Sequence, residues 1–271
     1  MTISPVAAIA CSRMYNLSPK ISGLWNQLFH WLADRSGVEL EIIAHAAPAP
    51  LSDLWGRPDM GAVFMCGFPF SRLSPEERPQ PLAAPVSLAD WANGRPVYAS
   101  HIVAARDRSL TESDLATARW GWTVRDSQSG YNAPREFFAT LANRPTAAQM
   151  VGPLLNPRGV VDAIRSDAID VGAIDAYAFQ LMAMHEPDMI APLRIVATTK
   201  PAPFPLLVAA RQQSSDIVDA LRAVLLGAHQ DPEGSHILAS LGLAAFAEPD
   251  VAAYNQLPAR ARAIDAALGT W

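Results

Sequence analysis

Short apolar runs alternate along this chain with longer stretches whose apolar residues recur at helical spacing. That alternation constrains the fold more than any other feature. It marks an α/β fold with largely parallel sheets, because each buried strand needs a helix to return the chain. Val6–Cys11 reads as a first buried strand. Ser18 opens a helix with Pro19 at its first position. Ile21, Leu24, Trp25, Leu28, Phe29 and Leu32 then fall at i, i+3, i+4, i+7 spacing until Gly37. Val38–Ala44 and Gly61–Met65 read as strands, the latter closed by Cys66-Gly67. A Pro-rich connection covers Pro75 to Pro85. Val97–Ala105, Arg119–Val124, Ile169–Ile174, Leu193–Ala197 and Phe204–Ala210 read as further strands. Helices are expected over Thr111–Thr117, Tyr131–Ala142, Gly159–Ser166, Asp175–Met184, Ser215–Gly227, Pro232–Leu241 and Asp250–Leu268.

The order suggests two α/β lobes. Residues 1–98 with 204–271 make a discontinuous first lobe and 104–197 a second. The segments 98–104 and 198–204 are the hinge crossings. A cleft between two such lobes is a natural ligand site, and hinge closure is the expected motion.

Composition excludes several classes. Half of the 271 residues are hydrophobic and 17% are charged, so a sizeable core is available. A net charge of −5 argues against nucleic acid as a partner, since phosphate backbones need a basic patch. No apolar run is long enough for a membrane-spanning helix. The start, MTISPVAAIACSRMY, lacks the pattern of a signal peptide, so the chain as given is expected to stay in the cytoplasm. Cys11 and Cys66 make no disulfide framework, and the six histidines are scattered. No metal or cofactor is expected.

One corner stands out. In "WTVRDSQSGYNAPREFF", Trp122 to Phe138, a strand runs into Asp126-Ser127-Gln128-Ser129-Gly130 and a helical pattern follows at once. Such hydroxyls cap a first turn. The same free N–H groups and the helix dipole also make an anion site. Capping and anion binding are both open to it.

The stretch "YASHIVAARDRSLTESDLATARWGWTVRDSQSGYNAPREFF" resembles the central block of the phosphate/phosphonate-binding proteins of ABC transporters. "NPRGVVDAIRSDAIDVGAIDAYAFQ", "GAVFMCGFPF" and "LRIVATTKPAPFPLLVAARQ" are similar to other blocks of that family in the same order. The resemblance implies a two-lobed type II periplasmic binding fold with two crossing strands and a ligand cleft between lobes. It implies a monomer that binds a small anionic solute without catalysis, an ABC permease as partner, and a periplasmic location. Carried over by position, Tyr15 would face the cleft and Cys66, Gly67 and Phe70 would form the first-lobe loop. Ser100 would lie on the crossing, and Ser127, Gln128, Ser129 and Gly130 would hold the oxyanion. Arg158 stands near a position where the family often has His. Asp175 stands where the family places an acid that receives an amino group.

Two departures bear on the ligand. Gln128 replaces a middle hydroxyl of the family's corner, and Phe70 stands where tyrosine is common. Each unmade bond leaves a buried oxygen unpaired, at roughly 1–3 kcal/mol. Several residues also have plainer readings. Asp175 suits a helix cap, Arg158 a surface position, Trp25 the core stripe of its helix, His101 a structural role, and both cysteines inert burial. The alternative function is a cytoplasmic enzyme or ligand sensor on the same fold; no nucleophile–base pair at a suggestive spacing supports catalysis.

Overall fold

The structure, a computed structural model, describes residues 7–269. Val6, expected to begin the first strand, lies outside the described residues. The chain groups into two compact units. Unit 1 joins the chain through Pro96 to Phe204–Asp250; unit 2 joins Val97–Pro203 to the chain from Val251 onward.

Unit 1 is built on a six-stranded sheet. Its order is Leu243–Ala247, Gln80–Ser87, Leu206–Ala209, Met60–Met65, Ala8–Cys11, Leu40–Ile42. The last three are mutually parallel, while Leu206–Ala209 runs antiparallel to both neighbours. The helix Pro19–Ser36 forms where the apolar spacing places it. The Ser18 hydroxyl accepts from the Ile21 N–H, and Gly37 ends the helix at φ 68°. Ile21, Trp25, Leu28, Phe29 and Leu32 are buried on one face; Leu24 is only half-buried.

The expected Pro-rich connection is in part an eight-residue strand, Gln80–Ser87, in the interior of this sheet. Pro81 pairs beside the register shift at Leu207/Val208, and Pro85 lies opposite Phe246 near the shift at Leu243/Ala245. Such irregularities let a strand do without the N–H that proline lacks.

Unit 2 has a five-stranded sheet in the order Leu193–Thr198, Ser100–Ala105, Val171–Asp175, Trp120–Gly121, Met150–Val151. Ser100–Ala105 is antiparallel to both neighbours and Trp120–Gly121 parallel to both of its own. Ile102, Trp120, Phe138, Val171 and Ala173 form its core. The Trp120 indole donates to the Leu115 carbonyl at 2.8 Å and meets the Phe138 ring edge-on at 4.2 Å. Val97–Tyr98 and Ala202–Pro203 pair as a short antiparallel ribbon.

The C-terminal helices correct the sequence reading. Ser215–Gly227 and Pro232–Ser240 lie in unit 1, but Val251–Asn255 and Leu257–Leu268 group with unit 2, where the first lobe was expected. The helix Leu257–Leu268 packs on Ala133–Phe138. Arg260 pairs with Glu136 at 2.5 Å, and Arg135 with Asp265 at 2.7 Å. The Arg135 side chain is 1% exposed, lies over the Tyr131 ring at 4.8 Å, and also donates to the Gly269 carbonyl. Charge complementarity across distant sequence therefore fixes the helix.

Candidate functional site

In unit 2 the expected strand Arg119–Val124 is cut to Trp120–Gly121, and the corner beyond it is held by side chains. Gln128–Asn132 is a wide π-type turn before the helix Ala133–Phe138. The Ser127 hydroxyl oxygen accepts from the Gly130 N–H at 2.9 Å. The Asn132 N–H reaches the Ser127 carbonyl at 3.1 Å. Ser127 is therefore a cap, and its O–H hydrogen is directed elsewhere. Gln128 is buried with the turn, and Ser129 is half-buried.

Two residues hold the turn from outside. The Ser100 hydroxyl donates to the Ser129 carbonyl at 2.9 Å. The Thr123 N–H donates to the Gly130 carbonyl at 3.2 Å, and a Cβ on residue 130 would stand 2.0 Å from the Thr123 Oγ1. Gly130 is thus required by Thr123, which the sequence pattern did not single out. Thr199 is a second such residue. Its Oγ1 accepts from the Ser100 N–H at 3.0 Å, and its own N–H donates to the Ser100 carbonyl at 2.9 Å. Ser100 itself is buried, and in register it lies opposite Asp175.

Asp175 closes its strand and caps the helix Ala176–His185, accepting from the Tyr177 and Ala178 N–H groups at 2.9 and 3.1 Å. Burial, and then the nearby Asp175 charge, push the Tyr177 phenol up. Arg158 lies on the helix Pro157–Arg165, 57% exposed and 3.7 Å from Asp162. Its setting is a surface ion pair, whereas the resemblance placed it near a ligand. His101 is buried against Phe179, its Nδ1 is 2.9 Å from the Thr198 hydroxyl, and burial pulls its pKa down to about 4.

In unit 1 the parallel strands Ala8–Cys11 and Met60–Met65 end at the same edge, where open α/β sheets receive ligands. Met60–Met65 leads into Cys66 and the helix Gly67–Arg72, with the Phe70 N–H bonded to the Cys66 carbonyl at 3.2 Å. Cys66, Gly67 and Phe70 are buried, and the Arg78 guanidinium covers the Phe70 ring at 5.2 Å. Tyr15, expected to face the cleft, is 1% exposed and enclosed by Trp25, Phe64 and Phe204. Burial raises the Cys11 thiol, which keeps it protonated and unreactive. Arg13, in the turn Arg13–Tyr15, was not singled out either; its Nε is enclosed without a hydrogen-bond partner. Among the described residues no cluster suits a metal ion.

Solved structures share this fold. A binding-protein component of an ABC phosphonate transporter from Pseudomonas aeruginosa superposes with a TM-score of 0.77 at 17% identity, over 97% of this chain and 89% of its own. PhnD1 from Prochlorococcus marinus, solved with methylphosphonate, gives 0.74 at 16%, over 95% and 97%. A Xanthomonas citri protein bound to ATP gives 0.61 at 19%, over 97% and 98%. At such identities the likeness is one of fold, the type II periplasmic-binding-protein fold. No curated protein matches the chain in sequence. The family described as the periplasmic phosphonate substrate-binding proteins of ABC transporters matches residues 15–254. The chain belongs to that family. Among the described residues no helix is long and apolar enough to cross a membrane.

Proposed function

We propose that this family member binds a small oxyanion-bearing solute, a phosphonate, phosphate or related anion, and delivers it to an ABC permease. The observation that carries this is the family match over residues 15–254 together with the serine corner inside it. Ser127 and Ser129 are the hydroxyl donors to the anion, and the first N–H groups of the turn add to them. Gln128 supplies an amide where a hydroxyl is common. Ser100, Thr123 and Gly130 hold the turn. Asp175 receives any cationic group of the solute in addition to capping its helix. Cys66 and Gly67 lie at the ligand-receiving edge of unit 1. Tyr15, Phe70 and Arg158 are assigned to packing and surface. The methylphosphonate complex of the Prochlorococcus relative supports the class of ligand.

The protein acts by binding and release, with no chemical step. The test is isothermal titration calorimetry with methylphosphonate and inorganic phosphate, and phosphorus NMR of the ligand afterwards. The wild type is expected to bind and leave the ligand intact. Replacing both Ser127 and Ser129 by Ala is expected to weaken binding by at least about tenfold, since each bond to a charged group contributes about 1.5–3 kcal/mol. Unchanged affinity in the double variant would remove the corner as the anion site. Turnover of the ligand would replace transport by catalysis.

A further inference from the structure

Where the ladder between Ser100–Ala105 and Leu193–Thr198 ends, a side chain takes the place of the main chain. The paired register stops at Thr198 opposite His101. One residue further, the Thr199 N–H still donates to the Ser100 carbonyl at 2.9 Å. The return bond from the Ser100 N–H goes to the Thr199 Oγ1 at 3.0 Å, where a regular ladder would use a main-chain carbonyl. The Thr199 hydroxyl donates onward to the Lys200 carbonyl at 3.2 Å, which leaves a lone pair of its oxygen for the Ser100 N–H. Both residues are buried, so water is not at hand to replace a lost acceptor.

Ala99 and Ser100, clamped in this way, carry both candidate ligand elements of unit 2. The Ser100 hydroxyl holds the Ser129 carbonyl of the serine turn. The Ala99 carbonyl accepts from the Ala176 N–H at 2.9 Å, at the start of the helix that Asp175 caps. Donors to an oxyanion act only within a narrow range of distance and angle, so the backbone that carries them has to be held. We propose that Thr199 is a positioning residue of the anion site: acting through Ser100, it fixes the backbone of the serine turn and with it the affinity for the solute. The inference rests on the reading that the protein binds a small oxyanion-bearing solute at that turn.

The test measures methylphosphonate affinity and ligand-free melting temperature on the full chain. The variants are Thr199→Val, Thr199→Ser, Ser100→Ala and the double Ser100→Ala/Thr199→Val. Valine keeps the shape and removes the acceptor; serine keeps the acceptor. Thr199→Val is expected to weaken binding about 2- to 12-fold, and Thr199→Ser to stay within about twofold of the wild type. The melting temperature should fall on adding Thr199→Val in either background, since the residue-100 N–H loses its acceptor in both. The affinity should not. In Ser100→Ala the tether to Ser129 is already gone, so adding Thr199→Val should weaken binding by less than about a further twofold. An equal loss of affinity in both backgrounds overturns the inference, and so does a lowered melting temperature with affinity unchanged.

A ligand-free readout stands beside these. The Gly130 N–H, bonded to the Ser127 Oγ, should exchange with solvent at least about threefold faster in Thr199→Val and at the wild-type rate in Thr199→Ser. Thr199→Ala also removes the acceptor and replaces Thr199→Val if that variant does not fold. If neither folds, the wild type decides. Saturating methylphosphonate should slow exchange of the Ser100 N–H at least about threefold more than that of the Val103 N–H in the same strand, and equal slowing overturns the inference.

The two readings fail separately. If methylphosphonate binds and the Ser127/Ser129 double alanine variant weakens it, while Thr199→Val binds as the wild type does, the role of Thr199 fails alone. If the wild type binds neither methylphosphonate nor inorganic phosphate, the solute reading fails. Faster Gly130 exchange in Thr199→Val then keeps Thr199 as the residue that sets the turn, and unchanged exchange removes both.

Discussion

The Ser100 hydroxyl donates to the Ser129 carbonyl oxygen at 2.9 Å, tying the first residue of a sheet strand to the second residue of the turn Gln128–Asn132. A turn so tied is set before any ligand arrives, and preorganisation lowers the entropy lost on binding. Ser100→Ala is expected to weaken methylphosphonate binding about 2- to 12-fold, the range of a net hydrogen bond of about 0.5–1.5 kcal/mol. Ser100→Thr keeps the hydroxyl and should keep most of the affinity. Equal calorimetric affinities for wild type and Ser100→Ala would show that the tether has no part in binding.

Gly130→Ala should destabilise the protein by about 1–3 kcal/mol, the usual range for overpacking a buried site. The added methyl would stand 2.0 Å from the Thr123 Oγ1 and 2.8 Å from its Cγ2. Adding Thr123→Ala removes both atoms and leaves the Thr123 Cβ at 2.9 Å, so part of the loss should return. Urea unfolding of the single and double variants measures this. A double variant no more stable than Gly130→Ala would place the strain elsewhere.

Asp265→Asn should cost about 2–3 kcal/mol, below the range for a fully buried pair because Asp265 is 40% exposed while Arg135 is 1% exposed. Arg135→Met in the same background should recover stability, since it removes a buried cation that has lost its carboxylate. Thermal unfolding separates the two outcomes, and an unchanged melting temperature in Asp265→Asn would show that the other contacts of Arg135 satisfy it without Asp265.

Acid stability should depend on His101. Burial lowers its pKa to about 4, below the unfolded value of about 6.5. The unfolded chain therefore binds the proton first, and stability falls as pH drops from about 6.5 towards 4, by about 3 kcal/mol in all. Above that window the group has no effect. His101→Gln should flatten the pH dependence between pH 4 and 6.5, as read from chemical denaturation across that range. An identical slope in the variant would assign the acid sensitivity to other groups.

Local rules made the helix Pro19–Ser36 legible, because cap, proline, apolar stripe and terminal glycine agree. The corner at Ser127 was legible as a turn for the same reason. Its partners were not. Thr123, Ser100 and Thr199 act on it across the sheet, and no periodicity records a contact between residues that far apart. Gln80–Ser87 was hidden because Pro81 and Pro85 read as breakers, while the register shifts that tolerate them are tertiary facts. The place of the last helices was hidden because chain order suggested one unit and two ion pairs select the other. Arg13 went unremarked because a sequence does not show which arginine encloses its Nε without an acceptor.

The clamp between Arg135 and Asp265 also sets a timetable. The two residues are 130 positions apart. At about 5–20 residues per second a ribosome releases the second on the order of 6–26 s after the first. Unit 1 likewise waits for Phe204–Asp250 to fill its sheet. Nascent chains of this protein therefore spend most of their synthesis with both sheets or their buttresses incomplete. The helix next to the serine corner gains its clamp last.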